Sequence, residues 1–276
     1  VLFTGGDASL WEFDAEMNDM VFSNFTKRAG FVLRYAIRLN EKGIHFPVFG
    51  ICQGHEVITM EIAGTPHVID NYQHPGQLNI VDITAGGKLS RMFKNMPEHI
   101  GAFIRQKRSI YYNHRYGFNT SLLHEQRVLN DFFAITAKGF DENGKEFIAA
   151  LEAKNYPIFT VQYHPERILS EWNNKTQFHH PSESAEAVLI QAAFFVNEAR
   201  KNDQKFTDAE NMERYILKNH EGVYINTTWP NTYFYDKKSL IEYHVNPDWS
   251  DNGDIDQYVC DHDACDDDLI SVDYDL

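Results

Sequence analysis

The sequence predicts an α/β protein, a three-layer sandwich around a mostly parallel sheet with antiparallel additions. Three patterns carry that expectation. Apolar runs at 48–51 and 158–162 are hydrophobic on both faces, as strands inside a covered parallel sheet must be. The first run passes at once into an apolar-periodic helix, and strand–helix alternation of this kind builds α/β layers. Two later β-rich segments are joined by Asp141-Glu142-Asn143-Gly144, a hairpin signal that supplies the antiparallel part.

In chain order, residues 1–3 read as a strand ending in the turn Thr4-Gly5-Gly6-Asp7, whose adjacent glycines leave amide N–H groups accessible. A long helical pattern follows over 12–40 (Met17, Met20, Val21, Phe25, Phe31, Val32), with Gly30 expected to break or kink it. Residues 46–56 form the strand–turn–helix unit, and its helix ends at Gly64. Short strands are expected at 67–69 and 78–83, with Gly86-Gly87 as a turn. Residues 102–113 look β-like and lead into a polar, aromatic loop, Asn113-His114-Arg115-Tyr116-Gly117. A short helix is expected over 122–129, strands at 132–137, 146–151 and 157–162, and an amphipathic helix over 183–200.

Composition narrows the function classes. With 43% hydrophobic and 24% charged residues, the chain buries a core and is not disordered throughout. No run of 18 apolar residues occurs, so no membrane span is expected. The formal charge of −15 argues against a nucleic-acid partner. Most of that charge lies in residues 236–276, which hold 13 Asp and Glu against 2 Lys and read as a solvated acidic tail. Its Asp-rich loops could gather calcium, but their spacing is not that of an EF-hand. Residues 1–235 form the other expected domain. Four glycosylation sequons, at Asn24, Asn119, Asn174 and Asn226, lean towards a secretory route. Of three cysteines, Cys260 and Cys265 lie together and could pair, leaving Cys52 as the odd thiol. The chain begins with Val1 rather than Met and is expected to be processed or incomplete at its start.

Cys52 is the first candidate for chemistry. Gly50 and Gly54 flank it at the strand-to-helix switch, the arrangement of a nucleophile elbow, where small neighbours let the backbone turn sharply and the reactive atom protrude. A buried structural cysteine is the alternative. The helix N-terminus is expected to favour thiolate. His164, just past the strand at 158–162, would lie at the same sheet edge and serve as base, with Glu166 fixing its tautomer.

Gly50-Ile51-Cys52-Gln53-Gly54-His55-Glu56 and Val161-Gln162-Tyr163-His164-Pro165-Glu166 together resemble the class I glutamine amidotransferase-type hydrolases, and within them the γ-glutamyl hydrolases. Leu89-Ser90-Arg91-Met92-Phe93, Ser170-Glu171-Trp172 and residues 193–201 extend the resemblance over about residues 1–235. It implies a flavodoxin-like sheet and a thiol hydrolase acting on poly-γ-glutamates such as folate polyglutamates. In that reading Cys52 is the nucleophile, His164 the general base and acid, and Glu166 its orienting group. Gly6 and the Gln53 N–H form an oxyanion hole, while Glu56, His114 and Arg115 contact substrate, with Arg167 a further cationic candidate. The resemblance implies no metal or organic cofactor, a lysosomal or secreted location and a homodimer. Members usually begin with a further strand–helix–strand before the position of Val1. Two other readings stay open: a glutaminase that passes ammonia to a synthase, and a non-catalytic scaffold subunit.

Overall fold

The computed structural model describes residues 1–171 and 179–206, with a few positions beyond (208, 212, 213, 216 and 219). Two compact units are present, Val1–Asp203 and Gln204–Leu276. In the second, the Met212 N–H donates to the Asp208 carbonyl. The boundary expected near residue 235 and the acidic tail lie outside the described residues.

The first unit is built on a six-stranded sheet. Its strands in chain order are β1 (Leu2–Phe3), β4 (Val48–Ile51), β6 (Asp82–Ile83), β8 (Phe133–Phe140), β9 (Glu146–Ala153) and β10 (Ile158–Val161), arranged in space as β1-β4-β10-β9-β8-β6. β1 and β10 both pair with β4 in parallel, while β9, β8 and β6 add on in alternating directions. Four of the six strands therefore run the same way, as a mostly parallel sheet with antiparallel additions requires.

Successive residues of the central strands enter different cores. Phe49, Ala149, Phe147 and Phe159 pack towards α3 (Glu98–Gln106) and α7 (Ser182–Ala199), with Ile100, Ile104, Ala187 and Val188. Val48, Ile148 and Ile158 pack on the other face towards α1 (Asn24–Glu41) and α2 (Gln53–Ala63), with Leu33, Ala36, Val57 and Ile58. Burial on both faces explains why these strands are apolar throughout, and it makes the three layers.

The β8–β9 turn forms as its sequence requires. The Asp141 carboxylate accepts from the Asn143 and Lys145 N–H groups at 2.9 Å each, and Gly144 supplies φ 78°. Helix α2 ends at Gly64 in the left-handed region (φ 73°).

Four expectations are corrected. Residues 12–22 are not helical: β2 (Trp11–Asp14) and β3 (Asp19–Phe22) form an antiparallel hairpin. Asp14 fixes the turn by accepting from the Glu16 and Met17 N–H groups, and Asn18 takes φ 53°. Helix α1 begins only after Ser23, whose hydroxyl accepts from the Thr26 N–H. Gly30 does not break it. A Cβ at Gly30 would meet the Glu61 carboxylate, so the glycine lets α2 pack closely while Arg34 pairs with Glu61.

The first part of the segment expected to be β-like, residues 102–106, belongs instead to the helix α3, because Ile100 and Ile104 repeat at helical spacing on the buried face. The expected polar loop at 113–117 is instead the end of strand β7 (Ile110–Gly117), paired antiparallel with β5 (Asp70–Asn79). Its polar residues alternate: Tyr112 and His114 point inward, Asn113 and Arg115 outward.

Candidate active site

The parallel register sets three strand ends side by side. Phe3 aligns with Gly50, and Ile51 aligns with Val161, so the turn after β1, Cys52 after β4 and His164 after β10 all leave the sheet at the same edge. Functional groups collect at such carboxyl ends because the chain reverses there and side chains escape the covered faces.

Cys52 sits on a strained turn. Its φ is 50° and ψ −108°, a conformation that costs an L-residue about 1–3 kcal/mol and persists only when its surroundings impose it. They do. The Cys52 N–H donates to the Val161 carbonyl at 2.8 Å, and its carbonyl accepts the first helical bond from Glu56 at 3.1 Å. A Cβ on Gly54 would lie 2.3 Å from the Phe3 carbonyl oxygen, and one on Gly50 would lie 2.8 Å from the Gly54 carbonyl oxygen. The flanking glycines are therefore what allow the elbow to close.

The thiol is 5% exposed and donates to the Asn113 carbonyl at 3.6 Å. Burial pushes its pKa well above the ordinary value, and the Glu56 carboxylate adds to the rise; the Gln53 backbone N–H and Arg167 oppose it, and Glu166 reinforces it. The thiolate expected from the helix end is thus overruled. A helix terminus contributes about 0.3–2 kcal/mol, whereas burying an unpaired charge costs up to about 4–7 kcal/mol. At rest the Cys52 side chain is a neutral thiol.

His164 is buried, anchored by its N–H to the Tyr111 carbonyl at 2.8 Å. Its Nδ1 lies 2.7 Å from Glu166 Oε1, so Nδ1–H donates to the carboxylate and the Nε2 lone pair remains for proton transfer. Gly5 joins this ring to the thiol. A Cβ at Gly5 would stand 2.7 Å from His164 Cε1 and 3.5 Å from Cys52 Cβ, so both side chains border one space that only glycine leaves open. Gly5 does not have a positive φ, so alanine there tests the contact alone. Gly5→Ala should lower kcat by about 10²-fold through a displaced imidazole, with little change in thermal unfolding. An unchanged kcat would show that the ring does not need this place.

The glycine turn is held by the Gln53 side chain. Its Nε2 donates to the Ala8 carbonyl at 2.7 Å, and its Oε1 accepts from the Ala8 N–H at 3.3 Å. The same Oε1 would lie 2.7 Å from a Cβ on Gly6. The Gln53 backbone N–H meanwhile faces the Cys52 sulfur. One residue thus clamps the turn and presents a donor to the Cys52 sulfur.

A family model described as glutamine amidotransferase class-I matches residues 21–180, more than half of the chain and a span containing Cys52, His164 and Glu166. The chain belongs to the class I glutamine amidotransferase family. Among curated proteins it is 29% identical over 229 residues to γ-glutamyl hydrolase B of Dictyostelium discoideum, covering 81% of this chain and 62% of that protein. The γ-glutamyl hydrolase of Mus musculus is 29% identical over 207 residues (75% and 61%), and that of Homo sapiens 29% over 228 residues (81% and 67%). The chain thus spans less than two thirds of the length of the first two relatives.

Around the amidotransferase elbow, the remaining predicted residues divide. Glu56 and His114 are buried beside it, whereas Arg115 is exposed on the outward face of β7. Glu56 accepts from Gln162 Nε2 at 2.9 Å. His114 Nδ1–H donates to the Tyr116 carbonyl at 2.7 Å, and burial, with His74 next, lowers its pKa to about 3. His114 stacks on His74 with ring centroids 5.3 Å apart, and burial keeps both imidazoles neutral. Arg167 lies over the Tyr111 ring at 4.5 Å and pairs with Glu171. Its charge acts on the thiol.

Asn24 and Asn119 are exposed. Asn174, Asn226, Cys260 and Cys265 lie outside the described residues. Among the described residues no cluster of three His, Cys, Asp or Glu is placed to hold a metal ion, and no helix is long and apolar enough to cross a membrane.

Sequence reasoning missed Gln162, the Gln53 side chain, the Asn113 carbonyl and the specific part of Gly5. Gln162 carried a usable signal, since a polar residue closing an apolar strand before His164 is unusual at a buried edge. The Asn113 carbonyl carried none, because any residue supplies one.

Proposed function

We propose that this chain hydrolyses γ-glutamyl amide bonds through a thioester on Cys52. The observation that carries the proposal is the convergence of Cys52 and the His164–Glu166 pair on the space left open by Gly5. Relatives bearing the name γ-glutamyl hydrolase supply the bond type.

In this mechanism His164 Nε2 takes the thiol proton as the sulfur attacks the γ-carbonyl carbon. A neutral resting thiol requires that the two events be coupled. The carbonyl π electrons move onto oxygen, which accepts hydrogen bonds from the N–H groups of Gly6 and Gln53, each donor worth about 2.7–4 kcal/mol in comparable sites. The tetrahedral centre collapses, the C–N bond breaks, and the imidazolium returns its proton to the departing amine. Water then attacks the thioester, giving its proton to the same imidazole, and the sulfur leaves with that proton as the thiol. Glu166 holds the ring in one tautomer and stabilises the imidazolium between the steps. No step calls for a metal or organic cofactor.

The substrate class is a poly-γ-glutamate, such as a folate polyglutamate, whose negative charge suits Arg167 beside the thiol. A lysosomal or secreted location fits the exposed sequons at Asn24 and Asn119, and a homodimer completes the proposal. The test compares kcat/KM for a poly-γ-glutamyl peptide and for free glutamine. Preference for the peptide is expected. Preference for glutamine would make the chain a glutaminase, and inactivity towards both with an unreactive Cys52 would make it a scaffold.

A further inference from the structure

Glu56 occupies a place that substrate contact does not explain. It lies in the first turn of α2, its own N–H bonded to the Cys52 carbonyl, and its side chain is only 4% exposed. One carboxylate oxygen accepts from Gln162 Nε2; among the described residues no cation lies within ion-pair reach of it. The groups facing this corner are Cys52 before α2 and His55 on it, Asp7 from the glycine turn, Gln162, His164 and Glu166 after β10, Arg167 on α6 (Arg167–Ser170), and Tyr111 and His114 on β7. His55 and His114 are neutral there, and Asp7 repels Glu56.

A buried carboxylate one helical turn from a buried thiol is an arrangement with one clear electrostatic effect. Both groups avoid charge, and neither tolerates charge on the other. The Glu56 carboxylate is the largest charge acting against the Cys52 thiolate.

We propose that Glu56 is a positioning residue that sets the acid–base state of Cys52: charged, it holds the thiol protonated, and protonated, it releases that constraint. Burial lifts the Glu56 pKa to about 7, partly offset by the Gln162 hydrogen bond and reinforced by Asp7. The sign follows. Above about pH 7 the carboxylate is charged and opposes thiolate; as pH falls through that value it takes up a proton and the opposition disappears. The nucleophile therefore loses less reactivity on mild acidification than an isolated thiol would, which suits an acidic compartment. The Gln162 Oε1, on the amide that already bonds Glu56, is buried and without a hydrogen-bond partner, an acceptor of the kind a protonated carboxyl needs.

The proposal rests on Cys52 as the reactive thiol, but not on any substrate. Its test is therefore alkylation by iodoacetamide, followed on the peptide that bears Cys52, for the wild type and Glu56→Gln from about pH 5 to about pH 9. The variant-to-wild-type rate ratio should be near one at the acid end and rise to about 10 at the alkaline end, the equivalent of about one pKa unit. A ratio that does not change with pH would overturn the proposal, since a merely structural effect is the same at every pH. Should Glu56→Gln fail to fold, the wild type alone decides. Its log rate against pH should bend near pH 7 as two coupled groups titrate, and a single-ionisation curve would count against it. Normal alkylation behaviour with no γ-glutamyl hydrolysis would sink the substrate proposal and leave this one standing.

Discussion

Cys52→Ser is expected to lower turnover of a γ-glutamyl amide by about 10⁴–10⁶-fold, the range for removing the nucleophile from a triad whose members act as one unit. Serine suits the test because it preserves the elbow. Its hydroxyl can donate to the Asn113 carbonyl that now accepts from the thiol, and the backbone bonds to Val161 and Glu56 are untouched. Stability should change by about 1 kcal/mol or less, read as a small shift in thermal unfolding. The hydroxyl is a poorer nucleophile in a site that already disfavours charge, so activity is lost for a chemical reason. A variant that kept more than a tenth of wild-type turnover while properly folded would remove Cys52 from the mechanism.

His164→Asn should cost about 10⁴-fold or more, again with the fold preserved. Asparagine is close in size and can keep a hydrogen bond to Glu166, but it cannot carry a proton between the sulfur and the leaving amine. Because the resting group is a thiol held protonated by burial, the loss of a base is felt directly at the attack step. A system that began as a thiolate would suffer less at attack and more at leaving-group departure. Pre-steady-state kinetics separates the two cases. Loss concentrated in acylation is the expected result, and unimpaired acylation with slow amine release would show that the thiol ionises without the histidine.

The chemistry-bearing parts of the site were more legible than the elements around them, for a physical reason. An elbow is local: Gly50, Cys52 and Gly54 must stand at fixed spacing between a strand and a helix, and the chain writes that in seven residues. His164 was found because an apolar run marks the strand it follows. Residues 12–22 were misread because Met17, Met20, Val21 and Phe25 fall at near-helical intervals. Met17 is in fact an exposed turn residue, and the decisive signal was Asp14 bonding the turn's own backbone. Residues 113–117 looked like a loop because they are polar. Their alternation was that of a strand, but a buried histidine at 114 disguised it.

Long-range approach was not readable at all. Nothing near Gly5 in the sequence says that His164 will come within touching distance of it, or that Glu61 will need the space above Gly30. The Cys52 pKa failed for the same reason. The helix N-terminus is local and was counted, while burial beneath β7 is tertiary and of larger magnitude.

The most direct test of the account is the covalent intermediate. Enzyme turning over a poly-γ-glutamyl peptide is quenched in acid, and its mass and peptide map are measured. The expected result is one γ-glutamyl acyl group on the peptide bearing Cys52, absent from Cys52→Ser. An acyl group on any other side chain, or full turnover by Cys52→Ser, would contradict it.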